Sequence, residues 1–193
     1  MGENSCNRMT WDTHSTGRVI WITGLSGAGK STIARATAEQ LREIGITPVL
    51  IDGDEIREAI RCPHTGHDPA SRLANAYRIS RLAKLMAEQG HTVIVATMSL
   101  FHEIHAWNRK HLPNYFEVWI EADLSTLQTH DARGLYSQAF NGVTHNVAGI
   151  DLAYERPENP DLILQNKPPF RNPEAMANEI INQTQVSENF YEN

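Results

Sequence analysis

The sequence predicts an α/β fold in which helices flank both faces of a single parallel β-sheet. Five short apolar runs alternate along the chain with longer helical patterns, the order expected for strands joined by crossover helices. The runs are 19–22, 48–51, 92–96 and 116–120, with 162–164 as the weakest. The helical patterns cover 32–43, 70–89, 101–110, 124–131 and 172–183. Because β-branched residues dominate the runs, we expect strands that are buried on both faces.

The most recognisable motif lies between the first apolar run and the first helix. Residues 24–31 read Gly-Leu-Ser-Gly-Ala-Gly-Lys-Ser, a complete G-x-x-x-x-G-K-[ST] phosphate loop. In such a loop backbone N–H groups surround the phosphates, Lys30 reaches the terminal phosphates, and the Ser31 hydroxyl can ligate Mg²⁺. We therefore predict a P-loop NTPase fold that binds ATP or GTP with Mg²⁺. The residues assigned to phosphate binding are Gly24, Leu25, Ser26, Gly27, Ala28, Gly29, Lys30, Ser31 and Thr32.

Length and composition restrict the class of protein. A chain of 193 residues fits one domain, which we place at residues 17–185 with flexible tails at 1–16 and 186–193. Two cysteines are too few for a disulfide framework, which favours a cytoplasmic location. A net charge of -6 disfavours binding to a nucleic-acid polymer. No apolar stretch is long enough to span a bilayer, so we expect no membrane partner.

Two aspartates follow the second predicted strand, in the sequence Asp52-Gly53-Asp54. Ligands of parallel sheets bind beyond the carboxyl ends of the strands, where these carboxylates would lie near the phosphates. A carboxylate in that place either holds Mg²⁺ or meets the hydroxyl that accepts the phosphate. We assign one aspartate to each task, with Asp52 joining Ser31 at the metal. The alternative is a pair of solvated turn aspartates.

Other strand ends narrow the activity to a small-molecule kinase. The third predicted strand is followed by Thr97-Met98-Ser99 and lacks the acidic residue by which many phosphate-loop ATPases hold their metal. Residues 166–169 read Asn-Lys-Pro-Pro and lack the aspartate of a guanine-reading N-K-x-D motif. Arg72 and Asn75 lie three residues apart on one predicted helix, where together they could hold an anionic nucleotide.

A glycine-containing polar segment predicts a mobile lid. Residues 134–154 include Gly134, Gly142 and Gly149 among polar side chains. Such loops often close over a bound substrate.

These motifs together resemble the adenylyl-sulfate kinase family, which uses Mg-ATP to phosphorylate the ribose 3′-hydroxyl of adenosine 5′-phosphosulfate. The resemblance extends from about Val19 to Leu164. Its matching pieces are the phosphate loop with Trp21, Asp52-Gly-Asp54 with Arg57, Arg72-x-x-Asn75, Ser99, Asp131-Ala-Arg-Gly-Leu-Tyr136, and Gly149-Ile-Asp151 with Tyr154-Glu155 and Pro157.

The resemblance implies a role for each matching residue. Asp54 would be the catalytic base, acting with Lys30 and Ser99. The residues that would contact the acceptor nucleotide are Asp52, Asp54, Arg57, His67, Arg72, Asn75, Ser99 and Val147. The lid would begin with Arg133, Gly134, Leu135 and Tyr136. We also expect a small nucleotide as acceptor and a homodimer.

Two departures from the family concern the base of the acceptor. The family usually has phenylalanines, which sandwich the acceptor adenine, where this chain has His67 and Val147. The stretch Ser99-Leu-Phe-His-Glu-Ile-His105 looks like the branch that phosphorylates cytidine diphosphoramidate for capsule assembly. We therefore favour an acceptor other than an adenosine nucleotide. The alternatives are a true adenylyl-sulfate kinase, a phosphate-loop kinase of another small metabolite, and an inactive nucleotide-binding module.

Overall fold

A computed structural model of the chain describes residues 16–60, 66, 68–129, 131 and 134–184. The strands are β1 (Arg18–Gly24), β2 (Val49–Asp52), β3 (Thr92–Ala96), β4 (Tyr115–Glu121) and β5 (Leu162–Gln165). The helices are α1 (Lys30–Glu43), α2 (Gly53–Ala59), α3 (Pro69–Ala87), α4 (His102–His111), α5 (Leu124–Thr129), α6 (Leu135–Phe140) and α7 (Pro173–Thr184). All strand pairs are parallel, in the order β2-β3-β1-β4-β5.

The central strand β1 buries both of its faces, as expected for a parallel sheet covered on two sides. Val19 and Trp21 pack with residues of α3 and α4, including Ile79. Ile20 and Ile22 pack on the opposite face, with residues of α1 and α7. The predicted fold class, a parallel sheet with helices on both faces, is confirmed.

The topology fixes where a ligand can bind. From β1 the chain passes to α1 on one face of the sheet, and from the neighbouring β3 it passes to α4 on the other. Chain connections that leave adjacent strands in opposite directions open a crevice at the carboxyl ends of those strands. The phosphate loop and the segment after β3 border this crevice.

Each of the five predicted strands and five predicted helices is present, with ends shifted by a few residues. The pattern at 124–131 gives a shorter helix, α5, that ends at Thr129. Two helices were not predicted, and both begin where we expected a turn or a loop. The prediction of a loop from Gly134 onwards is wrong for α6, and the predicted turn at Asp52-Gly-Asp54 is the start of α2.

Side-chain hydrogen bonds to the first turn explain both missed helices. Asp52 is the N-cap of α2 and accepts a hydrogen bond from the Asp54 amide, while Asp54 and Glu55 place negative charge in the first turn. The chain enters α6 through Gly134 at a φ of 66°, and the Asp131 carboxylate accepts from the Ser137 amide at 2.8 Å.

Some predicted features lie outside the described residues. They are most of the two tails (1–15 and 186–193), His67 and Arg133. None of the helices in the described part of the chain has both the length and the apolar character needed to cross a bilayer.

Candidate active site

The phosphate loop connects β1 to α1 and is turned by glycines. Gly27 and Gly29 have φ angles of 75° and 94°, in the left-handed region that other residues disfavour. Gly29 is the N-cap of α1, and no side chain caps this end of the helix. The first amides of α1 therefore form the kind of helix N-terminus at which phosphate groups bind.

Two side chains at the start of α1 make hydrogen bonds to nearby residues of the site. Lys30 Nζ donates to the Leu25 carbonyl at 2.7 Å, so its ammonium lies against the phosphate loop. Ser31 Oγ donates to Asp52 Oδ2 at 2.6 Å and thereby joins α1 to the end of β2. The structure thus brings together two residues that are 21 positions apart and were both predicted to hold the metal.

The two aspartates after β2 have different surroundings. Asp52 is only 9% exposed, and its Oδ1 accepts from the Asp54 amide at 2.9 Å. Asp54 lies in the first turn of α2 and is exposed. Asp52 and the Ser31 hydroxyl supply hard oxygen ligands of the kind that Mg²⁺ prefers. The alternative of two solvated turn aspartates is therefore wrong for Asp52.

Helix α2 lies tightly against the segment that follows β3. A Cβ atom on Gly53 would lie 2.6 Å from Thr97 Oγ1, a distance that real Cβ contacts do not show. Thr97 Oγ1 in turn lies 3.2 Å from Ser99 Oγ. Ser99 is 2% exposed, so the structure places it beneath the surface of the site. Its predicted catalytic role stays a prediction.

Two arginines near Asp54 form a positive region. Arg57 Nη1 donates to the Gly66 carbonyl at 2.9 Å, and Arg72 Nη2 donates to the Asn146 carbonyl at 2.8 Å. Burial lowers the pKa of Arg72, and the charge of Arg57 lowers it further, although neighbouring carboxylates including Asp54 oppose the shift. Because these guanidinium groups repel each other, an anion bound between them would be stabilised.

Asn75 lies one turn after Arg72 on α3 and is 4% exposed. Its Oδ1 is buried and has no hydrogen-bond partner among the described residues. A buried amide oxygen normally has a hydrogen-bond partner. The predicted role of Asn75 in holding the acceptor stays a prediction.

A compact turn at residues 145–152 supports Arg72 from the other side. The Asp151 carboxylate accepts from the Val147 amide at 2.6 Å and from the Asn146 amide at 2.8 Å. The bond from Val147 is the main reason why the pKa of Asp151 is lowered. These bonds hold the Asn146 carbonyl at the point where Arg72 reaches it.

An apolar pocket opens beside Arg72, between α3, the segment after β3 and the turn at 145–152. Its lining residues are Pro69, Arg72, Met98, Leu100, Phe101, Ala148, Leu152, Ala153 and Tyr154. Phe101 and Tyr154 supply its aromatic rings. Val147 is 3% exposed, packs into the core on the α1 side and does not line this pocket, whereas Ala148 does.

Sequence reasoning assigned no role to most of this lining. Met98, Leu100 and Phe101 directly follow β3, so their position after a strand end was the signal that could have found them. Ala148, Leu152 and Ala153 gave no such signal, because they reach the pocket only through the folding of the turn.

Helix α6, in the predicted lid, contacts the phosphate loop. Tyr136 is 2% exposed, and its hydroxyl donates to the Ser26 carbonyl at 2.8 Å. Burial raises the pKa of Tyr136 to about 12. The structure therefore joins the lid segment to the phosphate loop through residues that are 110 positions apart.

Comparison with known proteins gives a consistent result. The family model described as adenylylsulphate kinase matches residues 16–165. The cytidine diphosphoramidate kinase of Campylobacter jejuni is 41% identical over 148 residues, which cover 77% of this chain and 85% of that protein. The adenylyl-sulfate kinase of Deinococcus deserti is 43% identical over 150 residues, covering 78% of this chain and 82% of that protein.

Among solved structures, the APS kinase CysC of Mycobacterium tuberculosis in complex with AMPPNP and APS is similar, with a TM-score of 0.82 and 35% identity. The match covers 90% of this chain and 100% of that one.

Proposed function

Because the chain belongs to the adenylylsulphate kinase family, we propose that it transfers the γ-phosphate of ATP to the ribose 3′-hydroxyl of an activated cytidine nucleotide, cytidine diphosphoramidate. Its relatives are kinases, so the chain is a phosphotransferase that acts on a hydroxyl group. The identity of the acceptor and the roles of individual residues form the proposal.

The position of Val147 is the observation that favours a cytidine acceptor. The family's phenylalanine at this position stacks on adenine, but Val147 is buried in the core and Ala148 lines the pocket. Removing an aromatic side chain that stacks on a base costs ~1–3 kcal/mol of binding free energy. The similarity to the Campylobacter jejuni enzyme, which is named for this acceptor, supports the same conclusion.

The arrangement at the strand ends supports the chemistry. Asp54 accepts the proton of the 3′-hydroxyl as its oxygen bonds to the γ-phosphorus, and the bond to the β-phosphate oxygen breaks to release ADP. Lys30 and the phosphate-loop amides bind the donor phosphates, while Arg57 and Arg72 hold the anionic group of the acceptor. Ser31 and Asp52 would hold Mg²⁺, which neutralises phosphate charge during transfer.

The regiochemistry of the product tests this proposal. Purified protein incubated with Mg-ATP and cytidine diphosphoramidate should yield ADP and a product whose new phosphate is coupled to the ribose 3′ carbon in phosphorus NMR spectra. The 3′-deoxy analogue should bind but give no product. Phosphate transfer to any other position, or turnover of the 3′-deoxy analogue, would overturn the proposal.

A second candidate function is adenylyl-sulfate kinase itself. The Deinococcus deserti relative carries that name at comparable identity, and the similar Mycobacterium tuberculosis structure contains APS. The same residues would bind the phosphates and activate the hydroxyl in both candidate functions. The two functions therefore differ only in the base and the activated group of the acceptor.

A further inference from the structure

Three carbonyl groups of the phosphate loop accept hydrogen bonds from side chains. Lys30 holds the Leu25 carbonyl, as described above. The Tyr136 hydroxyl of α6 donates to the Ser26 carbonyl at 2.8 Å. Asn166 Nδ2, from the residue after β5, donates to the Ala28 carbonyl at 2.9 Å. Two of these donors therefore come from parts of the chain more than 100 positions away in sequence.

The planarity of the peptide bond gives these contacts a consequence for the neighbouring amides. In a trans peptide the carbonyl of one residue and the N–H of the next point in opposite directions. A donor that holds the Ser26 carbonyl therefore turns the Gly27 N–H away from α6. In the same way, a donor on the Ala28 carbonyl turns the Gly29 N–H away from Asn166.

We propose that Tyr136 and Asn166 are positioning residues, which orient the Gly27 and Gly29 N–H groups toward the phosphates of the donor nucleotide before it binds. This inference rests on the donor half of the proposed function and is independent of the acceptor. Because Tyr136 belongs to the lid segment, it also links the orientation of the phosphate loop to the docking of α6.

The surroundings of the two side chains favour this role. Tyr136 is almost wholly buried, and a tyrosine hydroxyl is protonated and able to donate at neutral pH. The backbone N–H of Asn166 donates to the Glu121 carbonyl at 2.8 Å, and this bond fixes the position of the residue. A Cβ atom on Gly29 would lie 2.9 Å from Asn166 Nδ2. The absence of a side chain at position 29 therefore lets the loop approach Asn166 this closely.

Calorimetric titration with a non-hydrolysable ATP analogue tests the inference. Tyr136→Phe keeps the ring and removes only the hydroxyl, and Asn166→Ala removes the other donor. Each variant should raise the Kd of the analogue about threefold to tenfold, the effect of one neutral hydrogen bond. The KM for ATP should rise in parallel, while the KM for the acceptor stays within twofold of the wild-type value.

Tyr115→Phe is the matched control, since it also removes a tyrosine hydroxyl that donates a hydrogen bond. Tyr115 donates to Glu117 and pairs with Val19 at the end of the sheet opposite the phosphate loop. This variant should melt at a lower temperature but bind the analogue as the wild type does. If Tyr136→Phe and Asn166→Ala behave in that way too, the positioning role is wrong. Failure of the wild-type protein to bind the analogue would instead overturn the donor assignment, and this inference with it.

Discussion

At the scale of single residues, two aspartates separated by one glycine acquire different properties from their contacts. Asp52 is bound on both carboxylate oxygens, by the Ser31 hydroxyl and the Asp54 amide, and is nearly inaccessible. Asp54 lies in the first turn of α2, is exposed, and is close enough to Arg72 for its charge to act on that guanidinium. Burial and hydrogen bonding thus suit Asp52 to a fixed metal ligand, and exposure suits Asp54 to a base that meets an incoming hydroxyl.

Replacing Asp54 by asparagine removes the proton acceptor with little change of shape. We expect Asp54→Asn to lower kcat by roughly 10²–10⁴-fold, the usual contribution of a general base, while the KM for ATP changes little. Steady-state kinetics with varied ATP would measure both. Glu55→Gln, in the same helical turn, should retain wild-type turnover. Near wild-type turnover of Asp54→Asn would refute the assignment of the base.

Arg72 should act on the acceptor and not on ATP. Loss of a charged hydrogen bond costs about 1.5–3 kcal/mol, so Arg72→Met should raise the KM for the acceptor roughly tenfold to a hundredfold. Arg81→Met is the control on the same helix. Arg81 lies over the ring of Tyr77, so its loss should leave the KM for the acceptor unchanged. A rise in the KM for ATP alone would place Arg72 at the wrong nucleotide.

At the scale of elements, the site depends on short segments held against the strand ends. Asp151 fixes the turn at 145–152 by its hydrogen bonds to two backbone amides. The Asn146 carbonyl of this turn accepts a hydrogen bond from Arg72. Helix α2 is held by the Asp52 cap and by close contact between Gly53 and Thr97. These segments are short, so a few contacts decide their position.

The turn should respond to acid. Folding lowers the pKa of Asp151 below its ordinary value of 3.8, so the folded protein binds this proton more weakly than the unfolded chain does. The stabilisation is complete above about pH 5 and is lost as the pH falls through the lowered folded-state pKa.

Asn at position 151 can no longer accept from both amides. Asp151→Asn should therefore lower the Tm near pH 7, and its difference from the wild type should shrink toward pH 3, measured by thermal denaturation. Glu88→Gln, at an exposed ion pair with Lys84, should change the Tm little at either pH. If Asp151→Asn lowers the Tm by the same amount near pH 7 and near pH 3, this explanation is wrong.

The close contact between Gly53 and Thr97 leaves no room for a side chain at position 53. The Cβ of Gly53→Ala would collide with Thr97 Oγ1, so this variant should displace α2 and lower both the Tm and kcat. The double variant Gly53→Ala/Thr97→Ala removes the colliding oxygen and should recover part of the Tm. Absence of any recovery would show that another contact excludes the methyl group.

At the scale of the whole molecule, the sequence predicted what depends on local pattern and composition. The buried strands follow from their apolar runs, and the phosphate loop follows from its motif at the end of a strand. Helices α2 and α6 could not be predicted in this way, because their first turns depend on hydrogen bonds to the Asp52 and Asp131 carboxylates.

The walls of the pocket depend on contacts between distant parts of the chain. The burial of Val147 and the place of Ala148 in the pocket wall follow from the turn built by Asp151, which no periodicity reveals. The contact from Tyr136 to the phosphate loop likewise joins segments that are far apart in sequence. The homodimer expected from the resemblance stays a prediction, which light scattering in solution would test.

A competition experiment between the two candidate acceptors would identify the preferred one. The protein would be supplied with Mg-ATP and equal concentrations of cytidine diphosphoramidate and adenosine 5′-phosphosulfate, and both 3′-phosphorylated products would be quantified by mass spectrometry at early times. The initial rates give the ratio of the two kcat/KM values directly. We predict that the cytidine product predominates by at least about tenfold, the effect of ~1.4 kcal/mol of lost adenine stacking. An equal or faster rate for adenosine 5′-phosphosulfate would show that the proposed acceptor is wrong.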